Sequence, residues 1–176
     1  MSTKHLLKTA VMAASLMTMP SLAAAQTSGT LTVTATVESS IGMTFENDAS
    51  GVALTGASTN AATMAFGAVS AYNTIATPNV TRSVSASDFT VSSLFGVKVV
   101  KAPSSSASYT LAAALASADA TNTWRINSTT LTTANQNLGT GYTYNTAVAH
   151  TVNLTVPLTA STGALSKVLN FTVTAN

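Results

Sequence analysis

Gly29-Thr-Leu-Thr-Val-Thr-Ala-Thr-Val37 alternates without a break. Leu31, Val33, Ala35 and Val37 fall on one face, and Thr30, Thr32, Thr34 and Thr36 on the other. Side chains of a strand repeat with a period of two, so this stretch is a ribbon with one dry and one wet face. The dry face needs a cover, supplied either by the rest of the chain or by a neighbouring copy of it.

Upstream of the ribbon, Lys4 and Lys8 form a basic region ahead of a broken apolar run from Leu6 to Leu22. Ala23 and Ala25 then stand at the −3 and −1 positions of a small-residue cleavage site. The run is too short, and too interrupted by Ser, Thr and Pro20, to span about 30 Å of hydrocarbon. Residues 1–25 are therefore expected to be a cleaved signal, with the mature chain starting at Gln26. Residues 26–38 would form an N-terminal extension, and residues 39–176 a single domain large enough for a sizeable core.

Cleavage changes the charge balance. The 176-residue chain carries 7 basic and 5 acidic residues, but Lys4 and Lys8 leave with the signal. Arg82, Lys98, Lys101, Arg125 and Lys167 then balance Glu38, Glu46, Asp48, Asp88 and Asp119. A neutral mature chain gives no electrostatic reason to bind nucleic acid or anionic membranes. It also favours association over mutual repulsion. The chain has no cysteine, so packing and ladder bonds must hold the domain, and thiol catalysis and cysteine-ligated metals are excluded.

Downstream of the ribbon, Ser39-Ser40 interrupts the alternation, and Ile41, Met43 and Phe45 resume it on the same odd-numbered face. This reads as one kinked strand, or as two strands broken at residues 38–40. Residues 46–51, Glu-Asn-Asp-Ala-Ser-Gly, are turn chemistry. Residues 52–63 read as a loop with a short edge strand, and the apolar run Met64-Ala-Phe-Gly-Ala-Val69 as a strand with a bulge at Gly67. Val80, Arg82 and Val84 suggest a half-exposed strand. The run from Phe89 to Val100 is the most β-branched and aromatic part of the chain, with a break of period between Val91 and Leu94 that predicts a bulge or turn at Ser92-Ser93. Tyr109, Leu111, Ala113 and Leu115 share one face of a further strand, preferred over a helical turn because the apolar stripe would be short. Trp124 and Ile126 mark another strand. Residues 128–147 are rich in Thr, Asn and Gly, with Tyr142 and Tyr144 on a common face. Val152, Leu154, Val156 and Leu158 define a firm strand, and Leu165, Lys167, Leu169, Phe171 and Val173 alternate to the C-terminus. Seven to nine short strands with no long helix predict an all-β, antiparallel sandwich of immunoglobulin-like type.

Catalytic chemistry is thin. His150 is the only histidine left after cleavage and reads as a surface or strand-end residue, since zinc needs three or four converging ligands. Glu46 and Asp48 fall short of the six to eight oxygens that calcium prefers and read as a turn. No Gly-x-Ser-x-Gly elbow is present. No cofactor or metal is expected, nor is an enzyme. Trp124, Tyr142 and Tyr144 are candidates for an aromatic carbohydrate platform, although core and rim positions are the commoner fate of such side chains. Asn-x-Thr patterns at Asn79, Asn127, Asn153 and Asn170 are discounted as chance matches in a threonine-rich chain.

Residues 31–45, Leu-Thr-Val-Thr-Ala-Thr-Val-Glu-Ser-Ser-Ile-Gly-Met-Thr-Phe, resemble the N-terminal extension and first strand of chaperone–usher fimbrial subunits. Residues 161–175, Ser-Thr-Gly-Ala-Leu-Ser-Lys-Val-Leu-Asn-Phe-Thr-Val-Thr-Ala, resemble their closing turn and final strand. The best-matching group is the cysteine-free, alternate-chaperone branch, and spore-coat-U-like secreted proteins share the cadence. The better-known branch has a disulfide and a near-terminal tyrosine, and this chain has neither. The resemblance implies an incomplete sandwich with a hydrophobic groove. A periplasmic chaperone fills that groove first, and the extension of the next subunit replaces it at an outer-membrane usher. Carried over residue by residue, it makes Leu31, Val33, Ala35 and Val37 the inserting side chains, and puts Leu169, Phe171 and Val173 on the terminal strand lining the groove. The implied product is a homopolymer on the cell surface, reached by export across the inner membrane and through the periplasm. Two other readings stand beside it: a self-contained secreted envelope or matrix sandwich whose first strand pairs in cis, and a carbohydrate-binding adhesin.

Overall fold

A computed structural model of the chain describes residues 30–35, 40–101 and 106–176. The chain divides into two units, residues 1–36 and 37–176. The signal, Val37 and the expected break at residues 38 and 39 lie outside the described residues. In the first unit, residues 30–35 belong to no strand, and Leu31 and Val33 are 89% and 80% exposed. The strand periodicity of the sequence is therefore present without a ladder. Alternating threonines and small apolar side chains have no second layer of their own to bury against.

Among the described residues the second unit is all β. Its nine strands are β1 (Ile41–Glu46), β2 (Thr81–Val84), β3 (Asp88–Lys101), β4 (Tyr109–Leu115), β5 (Thr123–Ile126), β6 (Thr129–Thr130), β7 (Gln136–Tyr142), β8 (Ala147–Pro157) and β9 (Leu169–Ala175). They form two antiparallel sheets. The larger runs β1-β3-β8-β5-β6, with β2 also on β3, and the smaller runs β7-β4-β9. Both contribute to one core, from Val91, Val97 and Val99 of β3 through Leu111 of β4 to Ile126 of β5, all fully buried. The expected all-β antiparallel sandwich is what the chain forms.

β3 is the axis of the larger sheet. Its odd-numbered residues from Phe89 to Val99 are buried in unbroken alternation. The expected bulge at Ser92-Ser93 is absent, because Ser93 itself takes the inward position and Leu94 the outward one. A buried hydroxyl is tolerated only when it is bonded, and Ser93 Oγ accepts from the Val52 N–H at 2.8 Å and donates to the Asn79 carbonyl at 3.0 Å. β1 and β2 lie end to end on the same edge of β3, pairing with Gly96 to Lys101 and with Phe89 to Ser92 respectively. Residues 47–80 form an excursion between them, and the Ser93 bonds fasten both its ends. Asn79 Nδ2 adds a bond to the Gly51 carbonyl at 2.9 Å.

One further expectation needs correction: residues 64–69 are not a strand. The Thr-, Asn- and Gly-rich residues 128–147 contain β6 and β7. β7 is an edge strand bent by Gly139 and Gly141, both at positive φ, and its register against β4 shifts between Tyr109 and Ala112.

His150 is also misplaced by the sequence reading. It is 2% exposed, on the inward face of β8 in phase with Val152 and Leu154, between the rings of Phe95 and Tyr142, each 5.9 Å away centre to centre. Asn127 Oδ1 is taken by the Thr151 N–H at 2.9 Å. Asn127 Nδ2 therefore donates to His150 Nδ1 at 3.2 Å, and this assignment leaves the imidazole proton on Nε2, which has no partner among the described residues. Burial pushes the imidazole pKa down from its ordinary value. An unfolded chain therefore takes up a proton, near pH 6.5, that the folded chain still refuses. His150 thus removes stability as pH falls below about 6.5. The melting temperature should drop between pH 7 and pH 5, and His150→Leu should flatten that part of the profile, as followed by circular dichroism.

Candidate functional site

β9 closes the smaller sheet on one side only. It pairs with β4 from Leu115↔Leu169 to Tyr109↔Ala175, and no strand pairs with its other edge among the described residues. In an antiparallel strand every second residue turns its N–H and C=O away from the existing partner, so the free edge offers a row of donors and acceptors.

Beside that edge runs a groove of about 1050 Å³. Its floor is the core itself: Phe45 of β1, Phe95 of β3, Trp124 of β5, and Val152 and Leu154 of β8. Leu169 and Phe171 of β9 line one wall, and the other comes from residues 60–69 of the excursion. Phe171 meets Phe45 edge-on at 5.2 Å and Phe95 at 5.8 Å. These three rings join the two sheets at the open side of the sandwich.

The sequence-predicted acceptor residues are therefore brought together in part. Leu169, Phe171 and Val173 alternate with exposed neighbours and pack against the core. Leu169 and Phe171 line the groove, whereas Val173 lies on the same face outside its lining. Leu165 and Val168, just before β9, remain 46% and 61% exposed at the rim. That rim is fastened: Ala116 N–H donates to the Val168 carbonyl at 3.0 Å, and Lys167 Nζ to the Ala118 carbonyl at 2.9 Å. Leu31, Val33 and Ala35 lie in the first unit, and Val37 is outside the described residues.

The other candidates take structural roles. Trp124 is 8% exposed and donates through Nε1 to Asp119 Oδ2 at 2.9 Å. Burial acts to raise the Asp119 pKa, but the Asn122 backbone N–H, the indole N–H, the Asn122 amide and the Thr121 N–H together outweigh it and hold the carboxyl at about 2. Tyr144 is buried, and its hydroxyl donates to the Ser108 carbonyl at 3.1 Å. Tyr142 and Tyr144 pack on Tyr109 at 5.4 and 5.1 Å. A sugar-stacking platform needs ring faces open to solvent, and two of its three proposed rings are buried. Glu46 accepts from the hydroxyls of Thr44 and Ser58, and Asp48 from the Ser50 N–H, so this acidic pair serves the turn. Among the described residues no group of three or more potential metal ligands occurs.

The sequence reading missed the contribution of Trp124, Val152 and Leu154 to the groove floor. Their inward phase marked them as core, but nothing in the pattern says which part of a core lies uncovered. No protein-family model, no curated protein and no solved structure matches this chain.

Proposed function

We propose that the chain is a non-enzymatic structural subunit of a bacterial surface fibre. Each copy inserts its N-terminal ribbon, Leu31, Val33, Ala35 and Val37 inward, into the β9 groove of the next. The observation that carries this reading is the free edge of β9 beside an apolar groove floored by the domain's own core. An unpaired edge over an open core is costly, and a strand added there supplies ladder bonds and an apolar side chain at every second residue. The dimensions agree. Leu31 to Val37 is seven residues, about 23 Å when extended, and β9 is also 7 residues long. The lack of strand structure in residues 30–35 and the neutral mature charge both favour association between copies. Before assembly, a periplasmic chaperone strand is the natural temporary occupant of the same groove, with export to the surface through an usher.

Deleting residues 26–37 tests the reading. Among the described residues the core lies beyond this segment, so the truncated domain should keep its β-type circular dichroism and its chaperone binding while forming no fibres. Fibres of normal length from the truncated chain would contradict the proposal.

A further inference from the structure

Residues 64–69 are the part of the groove wall that is poorly fastened. Ala62, Met64 and Phe66 are half-buried and alternate with the exposed Ala61, Thr63 and Ala65, which is the side-chain rhythm of an inserted strand. Met64, Phe66 and Val69 pack against the core. Thr63 exchanges two backbone bonds with Thr55, at 3.0 and 2.8 Å. Beyond it, residues 64–69 make no hydrogen bond to any described residue. Gly67 turns the segment at φ 69°, and at Ser70 the chain is fixed again where Arg82 Nη1 donates to the Ser70 and Asn73 carbonyls at 2.7 and 2.5 Å. The segment is thus tied at both ends and held between them by side-chain burial alone. Segments with few backbone bonds open at low free-energy cost.

We infer that residues 64–69 are a displaceable strap, the subunit's own placeholder over the groove, which swings aside when the incoming strand pairs with β9. This rests on the groove reading above and adds its regulation. The strap shields Phe45, Phe95 and Phe171 from water in the unassembled subunit. It also sets how readily the groove accepts a strand, because apparent affinity falls by the fraction of molecules whose site is open. A strand-like apolar run without a ladder is explained by this role: it resembles an inserting strand in its side chains and lacks the backbone bonds that would make it permanent.

The test uses the full mature chain and a synthetic peptide of residues 29–37, followed by fluorescence anisotropy of a dye on the peptide. Phe66→Ser removes the largest side chain holding the strap, and Gly67→Ala disturbs its turn, since an added Cβ would lie 2.4 Å from Thr77 Oγ1. Both variants should bind the peptide about tenfold more tightly than the unaltered chain, while Tyr72→Ser, at an 80% exposed position outside the strap, should bind like it. Weaker or unchanged binding by Phe66→Ser and Gly67→Ala, with the unaltered chain still binding, would make the segment a fixed wall and overturn the strap alone. Failure of all forms to bind would overturn the strap together with the groove reading.

Discussion

Val33→Asp should abolish fibre assembly and leave the melting temperature of the subunit unchanged. Val33 is 80% exposed in the single chain, so a carboxylate there costs the folded subunit nothing. In the proposed fibre the same side chain would enter a groove floored by Phe45, Phe95 and Trp124. The floor offers no counter-charge to a buried carboxylate, and Lys167, the one charged lining residue among the described residues, is engaged at the rim by the Ala118 carbonyl. Effective penalties for burying an unpaired ion run to several kcal/mol. A loss of about 4 kcal/mol is roughly a thousandfold in the affinity of one subunit for the next. Val33→Ile, which keeps the shape and adds one methylene, should assemble. Thr34→Asp places the same charge on the wet face and should also assemble, so the pair separates the position of the charge from its presence. Electron microscopy of surface extracts, with thermal melts of each purified subunit, reads both sides.

Gly51→Ala should be the most damaging single change to the domain itself. A Cβ at Gly51 would stand 1.9 Å from the Leu94 carbonyl oxygen and 2.7 Å from its carbon. Those are backbone atoms of β3, which pairs with β8 along eleven register positions on its other edge, so they have no freedom to yield. The excursion must instead lift away, straining the Val52 N–H to Ser93 bond and the Asn79 to Gly51 bond. Ser93 would then be left as a buried hydroxyl without its full set of partners. Overpacking of this kind costs about 3 kcal/mol, which lowers the melting temperature of a domain this size by roughly 10 °C. Ser93→Ala should cost less, because it leaves the Val52 N–H and the Asn79 carbonyl without their partner but introduces no clash. Comparing the two melts apportions the loss between the clash and the hydrogen bonds.

The strands most plainly legible in the sequence were those with one dry face and one wet face. β8 and β9 follow the alternation of Val152, Leu154, Leu169 and Phe171 closely, and β1 follows Ile41, Met43 and Phe45. Legibility failed wherever tertiary contacts decided the outcome. Ser93 reads as a break in an apolar pattern because a serine's burial depends on partners 14 and 41 residues away. His150 carried a usable signal, being in phase with Val152 and Leu154, but its polarity argued against the interior until Asn127 was seen to satisfy Nδ1. Residues 64–69 have the composition of a strand and no neighbour to pair with, a property of the sheet edge beside them and not of their own sequence. β7 was obscured by Gly139 and Gly141, whose bulges let a half-exposed edge strand pass with little apolar alternation.

For the site, the sequence carried the inward face of the last strand and the alternation of the ribbon. It did not carry the groove beside that strand. A groove is a relation among β1, β3, β5, β8 and β9, set by which edge the chain leaves uncovered. The exposed Leu165 was visible only as a further member of an alternating run and Val168 fell out of phase with it; their position at a rim follows from the bonds of Ala116 and Lys167.

The most direct test of whether copies join through the ribbon and the groove is the state of the mature protein in surface extract run on a denaturing gel without boiling. A strand paired along β9 with its side chains buried in the core separates only through a large unfolding barrier. The expected result is a regular ladder of subunit multiples that collapses to a single monomer band on boiling and is absent for Val33→Asp. A lone monomer band before boiling, from cells making the unaltered protein, would contradict it.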